Sequence, residues 1–409
     1  MVEIDMNLKQ YIKKIGIREI LFIGIIIRLL LMPFFAHNDL KNTYIRAYAI
    51  GFYEEYSLFR FTDVFAHAVE VVFLYIYDFI IGIDHFLPVE LAREQNAWVN
   101  FNVFFMKIPY LLFDLLNVWL ILKLAVKKFR IQTLGFYFLN PLLIFAVYIF
   151  GRYETFPIFF VLLSLYLSKQ KKQSLSALTF GTSLAARSSF LIITPIYAML
   201  VGKNLIQKIC LSVLSIMPYG TVLAFKQITK RTRELTWLTT GQHQNFIFGF
   251  NFEVSPFVFI YGFIAAYTVL LFYTYEKWGK VRTSLDHRSI SIMFAVGFAL
   301  FYTLSMFHPQ YLAWIVPFAA LSIDSKKTFN LLIKIFTGLT LLLPFLLLSW
   351  SHLLLEIVKP LSATLASINI SVEVDKYYSY LKLANIAKST MSGLFIVYIL
   401  KHIPFIRND

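Results

Sequence analysis

The feature that most limits what this chain can become is a succession of apolar runs. Each is close to the roughly 20 residues that a helix needs to cross a bilayer core. Such runs occupy 20–36, 101–122, 133–150, 204–225, 256–275, 289–306, 329–350 and 384–400. Shorter ones at 155–168, 174–186, 188–202 and 311–323 read as tilted or partly buried spans, because backbone in lipid must be hydrogen-bonded within its own helix. The expectation is an all-α integral membrane protein with about twelve transmembrane helices. Of its 409 residues, 58% are hydrophobic and 15% charged, whereas soluble domains are about a quarter charged. A soluble fold of this size has nowhere to hide so much apolar surface, so lipid must be the solvent. No linker, low-complexity tract or repeat divides 1–409, which reads as one polytopic domain.

The formal charge of +15 raises nucleic acid as a partner, but the basic residues are dispersed between apolar runs, as positive-inside loops are. No nucleic-acid partner is expected. Lys9, Lys13, Lys14 and Arg18 precede the first run and put the N-terminus in the cytoplasm. Alternation then brings Lys123, Lys127, Lys128 and Arg130 to that side, followed by Lys169, Lys171 and Lys172, by Lys203 and Lys208, by Lys277, Lys280, Arg282 and Arg288, by Lys326 and Lys327, and by Lys401 and Arg407 at a cytoplasmic C-terminus. Reading 174–202 as one helix would bury Arg187 at mid-membrane and invert everything after it, so a hairpin is expected there. The charges between Met1 and Arg18, with no small-residue cleavage pattern before Pro33, argue against a cleaved leader. Cys210 stands alone, which excludes an intrachain disulfide or a Cys-based metal site.

Three long segments then face outward: 37–99, 226–255 and 351–383. The first is acidic, with Asp39, Glu54, Glu55, Asp63, Glu70, Asp78, Asp84, Glu90 and Glu94. Its apolar stretch from Val71 to Ile83 is broken by Asp78 and is expected to lie in the outer interface, since crossing would upset the parity of the basic loops. The amphipathic run Leu353, Leu354, Ile357, Val358, Leu361 and Leu365 is expected to lie there too. Residues 226–255 carry Lys226, Lys230, Arg231, Arg233, His243 and Gln244 against the positive-inside rule. That cluster means an anionic substrate, contact with lipid headgroups, or a local error of topology.

Candidate chemistry begins where the first run ends. Asp39 is a carboxylate just past a helix end at the outer surface, placed to meet the headgroup of a lipid-borne substrate. Its bland alternative is an N-cap for the next helix. Glycosyl transfer from a lipid phosphate needs a base for the acceptor hydroxyl and groups that neutralise the departing phosphate. Arg28 and Asp114 both fall within spans and are expected to pair structurally. Lys107, near the outer end of its span, is expected to snorkel. Arg152 and Glu154 share a tight outer turn and are either solvated there or contact sugar or phosphate. Arg187, followed by two serines, suits a phosphodiester. His308 and Gln310 open a short span at Pro309, where their polar groups would point into an outer cavity.

Four stretches taken in order resemble the GT-C glycosyltransferases, especially the branch using polyprenol-phosphate mannose. They are Arg28 to Asp39 with Tyr44; Lys107 to Asp114 with Pro109; Asn140-Pro141 to Gly151, Arg152, Tyr153 and Glu154; and His308, Pro309, Gln310 and Tyr311 with Trp314 and Pro317. The resemblance covers about residues 20–320. It implies a polyprenyl-phosphate sugar donor, a glycolipid or glycan acceptor, inversion at the anomeric carbon, and Asp39 as the extracytoplasmic base. It places a basic residue near the donor phosphate at Arg187 and brings Tyr44 into the site. Sugar or phosphate contacts for Arg152, Glu154, His308 and Gln310, and for Arg231, Arg233 and His243, are expected from the cost of placing such groups at the outer surface. Some relatives of this type need a small membrane subunit. Eukaryotic members carry Asp-x-Asp where this chain has His37-Asn38-Asp39. One carboxylate beside a His is a poor Mg²⁺ site unless substrate oxygens complete it, so no cofactor is assigned and a divalent cation is left open. Two alternatives use the same layout: a transporter or lipid-linked-oligosaccharide flippase, and a polysaccharide polymerase with a diphosphate donor. Neither the half-repeats of transporters nor their interrupted helices at matching positions are seen.

Overall fold

A computed structural model describes residues 16–56, 63–86, 97–228, 248–255, 258–279, 287–305, 308–348 and 356–403. It is 82% helical, and among the described residues seven helical segments are long and apolar enough to cross a membrane. They are Val64–Ile81, Trp98–Leu124, Lys127–Ile149, Leu205–Ala224, His287–Leu304, Lys326–Leu348 and Tyr380–His402. The chain is an all-α membrane protein, and side chains such as Phe79, Leu30 and Leu341 stand exposed on its flanks as lipid-facing residues do.

Six of the seven coincide with expected spans. The seventh corrects the expectation for the first loop. The apolar stretch starts at Val64 rather than Val71 and runs 18 residues. His67 and Glu70, which interrupt the hydropathy, are fully buried and face each other, with Nδ1 and Oε2 3.4 Å apart. Asp78 does not break the helix either; it lies in the last turn, and its carboxylate accepts the N–H of Ile83 at 2.8 Å. Two expected spans are shorter than foreseen: Ile17–Leu31, stopped before Pro33, and Gly262–Thr274, entered from a β-hairpin. That hairpin, Asn251–Ser255 with Val258–Tyr261, is exposed along almost its whole length. Among the described residues after 351, short pieces form at Glu356–Val358, Ala363–Ala366 and Ile370–Asp375; Leu353 and Leu354 of the amphipathic run lie outside the described residues.

The short apolar runs pair at the centre. Thr155–Lys169 turns at Lys171 into Gln173–Ala186, and the two are pinned where the Ser176 hydroxyl meets the Ser164 carbonyl at 2.7 Å. Leu205–Ile228 packs on the same helix at Gly181, where a Cβ would fall 2.6 Å from both the Ser215 carbonyl oxygen and Pro218. After Arg187 the chain continues as a 3₁₀ turn, Ser188–Ile193, and the helix Thr194–Val201.

Two buried cations tie the early helices together. The Arg28 Nε donates to Asp114 at 2.8 Å, both side chains wholly enclosed, while Tyr137 and Tyr148 donate to the same carboxylate at 2.8 and 2.9 Å. Arg28 and Asp114 thus form the expected ion pair. Lys107 does not snorkel. It is fully buried at a break in Trp98–Leu124, and its ammonium donates to the carbonyls of Met32 (3.1 Å), Tyr148 (2.6 Å) and Phe35. An ammonium has three N–H donors, so these three acceptors satisfy it without water.

The turns fall into two groups. At one end Lys169 reaches the carbonyl of Lys123 at 2.9 Å, Gln173 that of Val201 at 3.4 Å, and Arg288 pairs with Asp324. The other end holds the remaining ionisable side chains of interest.

Candidate functional site

Local geometry at Gly151 brings the first two charges together. The chain leaves a π-helical turn, Phe145–Ile149, and Gly151 adopts φ +85°, a value that disfavours any side chain. A Cβ there would also sit 3.1 Å from that of Leu40, so the Arg152 turn can approach the helix Asn38–Tyr53 only because residue 151 is glycine. His37 completes the junction. Its N–H donates to the Phe150 carbonyl at 3.0 Å, its ring stacks on Phe150 at 4.0 Å, and its Nδ1 accepts the Asp39 N–H at 3.1 Å. His37, not Asp39, is therefore the N-cap, which removes the bland alternative for Asp39.

The Asp39 carboxylate is left to face Arg152, whose Nη1 lies 3.1 Å from Oδ2. Arg152 also approaches Glu154, Nε to Oε1 3.7 Å. Glu154 is completely buried and acts as the hub: it accepts Arg187 Nη2 at 3.2 Å on one oxygen and Trp314 Nε1 at 2.6 Å on the other. Arg187 Nη1 donates to the Tyr153 hydroxyl at 2.9 Å and to Asp63 at 3.4 Å. Its guanidinium lies 4.8 Å from the Tyr311 ring, which stacks on Trp314 at 4.4 Å. His308 edges onto Tyr311 with ring centres 5.5 Å apart. Asp39, Asp63 and Glu154 thus surround Arg152 and Arg187 in one connected set, three carboxylates to two guanidiniums.

Several polar atoms here make no hydrogen bond. His37 Nε2, Arg152 Nε, Arg187 Nε and Gln310 Oε1 are buried without a hydrogen-bond partner. Native structures leave few such atoms, so each is open to a water or a ligand, as is Oε2 of Glu70. The Asp39 side chain is 38% exposed, against 10% or less for the side chains of Arg152, Arg187, Glu154 and Asp63. It is the most solvent-accessible carboxylate of the three.

Electrostatics sharpen the roles. Burial works against ionisation of Asp39, but Arg152 and His37 outweigh it and hold the carboxyl well below the usual carboxylate range. Burial drives His308 down to about 4, with Arg152 and Arg187 adding to the effect and Asp39 opposing it, so its imidazole is neutral at physiological pH. Arg152 is raised despite its burial by Tyr153, Asp39 and Glu154 and stays charged.

Of the residues singled out in the sequence, Asp39, Arg152, Glu154, Arg187, His308 and Gln310 come from distant segments to this one end. Tyr44 stands apart: it is fully buried, and its hydroxyl donates to the Met106 carbonyl at 2.6 Å. Arg231, Arg233 and His243 lie outside the described residues. Asp63, Tyr153 and His37 were not singled out, nor were Tyr311 and Trp314 beyond their motif. Asp63 was one acid among nine in its loop, with nothing in the sequence to mark Arg187 as its partner. Among the described residues no three His, Cys, Asp or Glu side chains converge as metal ligands. Comparison of the chain with protein-family models, with curated proteins and with solved structures returned no match.

Proposed function

We propose that the chain is a membrane glycosyltransferase that moves a sugar, mannose or another hexose, from polyprenyl phosphate to a hydroxyl of an extracytoplasmic lipid, glycan or cell-wall acceptor. The observation that carries this is the meeting of a partly exposed carboxylate with two arginines and a neutral histidine at one end of a membrane protein. The acceptor oxygen attacks the anomeric carbon while its proton passes to Asp39. The bond from that carbon to the phosphate oxygen breaks, and the electron pair leaves with the phosphate. Arg152 and Arg187 neutralise the charge that builds there. A phosphate departs as a stable anion, so no strong acid is required and one carboxylate suffices. His308 and Gln310 orient the sugar. Inversion goes with a single displacement of this kind.

Twelve crossings with both termini in the cytoplasm belong to the proposal. The grouping of turns supports it, because the loops assigned to the cytoplasm by their Lys and Arg contact one another at the end opposite Asp39. In that arrangement Val64–Ile81 stays at the outer surface, and Arg231, Arg233 and His243 meet anionic headgroups or donor. Cells carrying Asp39→Asn at the wild-type protein level should lose the glycan product. Undiminished output of the pathway would remove the proposal.

A buried polar chain favours a second reading. Tyr110 donates to Glu70 at 2.9 Å, and His67 lies beside the same carboxylate, all within two of the long apolar segments. Ionisable groups at such depth often mark proton or substrate paths, as in a transporter or flippase. Glu70→Gln separates the two: transport predicts loss through Glu70 with Asp39→Asn harmless, and glycosyl transfer predicts that Asp39 is indispensable.

A further inference from the structure

We infer that Arg152 is shared between Asp39 and the lipid phosphate, so that donor binding takes the arginine away from Asp39 and frees the carboxylate to serve as base. This rests on the glycosyl-transfer reading and adds an order of events to it. Both arginines of the site are already matched by three carboxylates, so an arriving phosphate finds no unclaimed cation and has to displace an existing partner.

Exposure decides which one. Glu154 is completely enclosed and held by Trp314 as well, and Asp63 is nearly so. Releasing either would strand a carboxylate away from water, which is costly. Asp39 can return to solvent when Arg152 leaves, because more than a third of its side chain already touches it. Arg187, clamped by Glu154, Tyr153 and Asp63 and lying over Tyr311, has no comparable partner to give up. Arg152 Nε, 3.7 Å from Glu154, makes no hydrogen bond and can donate one to a phosphate oxygen.

The exchange also answers a chemical objection. A carboxylate paired with arginine is a weak base, since a base works best with a pKa near the operating pH. Losing Arg152 moves Asp39 in the required direction at the moment when donor is in place. Water or acceptor reaching the site without donor meets a carboxylate that is still neutralised.

The test is binding of polyprenyl monophosphate to the purified protein in nanodiscs, with each variant first shown to be monodisperse and to melt as the wild type does. Asp39→Asn should bind about three- to tenfold tighter than wild type, the range for a partly desolvated competing pair. Arg152→Gln should bind more weakly, and the double variant should lose the gain from Asp39→Asn. Wild-type binding with equal or weaker binding by Asp39→Asn would overturn the shared arginine and leave glycosyl transfer standing. Absence of binding by every protein would overturn both.

Discussion

Two Arg–Asp pairs in this chain show how exposure separates structure from chemistry. Arg28 and Asp114 are sealed, with two tyrosine hydroxyls completing the carboxylate's partners. Breaking such a buried pair leaves a stranded charge and costs about 3–5 kcal/mol. Asp114→Ala is therefore expected to lower thermal stability sharply, read by melting in detergent; an unchanged melt would show that the pair is not buried as described. In the Arg152–Asp39 pair the arginine is buried but the carboxylate is 38% exposed, so losing Asp39 strands no buried carboxylate and leaves Arg152 its contact with Glu154. Asp39→Asn should melt almost as wild type does while losing function. His308 carries a pH signature. Its imidazole protonates at about 4 in the folded protein and at about 6.5 when unfolded. Between those values the unfolded chain binds more protons, so His308 makes stability fall as pH drops from about 6.5 to about 4. His308→Gln should flatten that slope in melts taken across the window, and an unaltered slope would contradict the assignment.

At the scale of elements, the site depends on how two backbone segments are brought together. Gly151 allows the Arg152 turn to meet Leu40, and Lys107 binds carbonyls at the end of the first helix, in the loop before Asp39 and in the π-helical turn before Arg152. Gly151→Ala should destabilise by about 1 kcal/mol or more, because it combines a positive φ with a tight contact. It should also depress activity further than that loss explains, by shifting Arg152. Lys107→Met removes three donors from buried carbonyls and should do the same; full activity in either variant would show that the junction does not hold the site. Most spans were legible because hydropathy over about 20 residues reports lipid contact directly. Of Val64–Ile81 only the second half was legible as an apolar stretch, because His67 and Glu70 interrupt the hydropathy of the first half and their enclosure beside each other is visible only in the fold. Lys107 was misread for a similar reason: nothing local announces that three carbonyls from elsewhere will surround it. Asp39, Arg152 and His308 were legible through motifs and Arg187 through its place at a hairpin turn before two serines, whereas the pairing of Arg187 with Asp63 and Tyr153 depends on contacts made only in the fold.

For the whole molecule, the central question is which face of the membrane carries the charged cluster and what it does there. The Lys-rich turns gather opposite it, which predicts sidedness. In a Cys210→Ser background, a membrane-impermeant maleimide should label Asp84→Cys on intact cells and leave Lys172→Cys unlabelled; the reverse pattern would contradict the orientation. The function itself is tested most directly by purified protein in proteoliposomes given polyprenyl-phosphate hexoses with labelled sugars. Wild type should release polyprenyl phosphate as the sugar passes to acceptor, and Asp39→Asn should not. Failure to consume any such donor, or equal consumption by Asp39→Asn, would contradict the account.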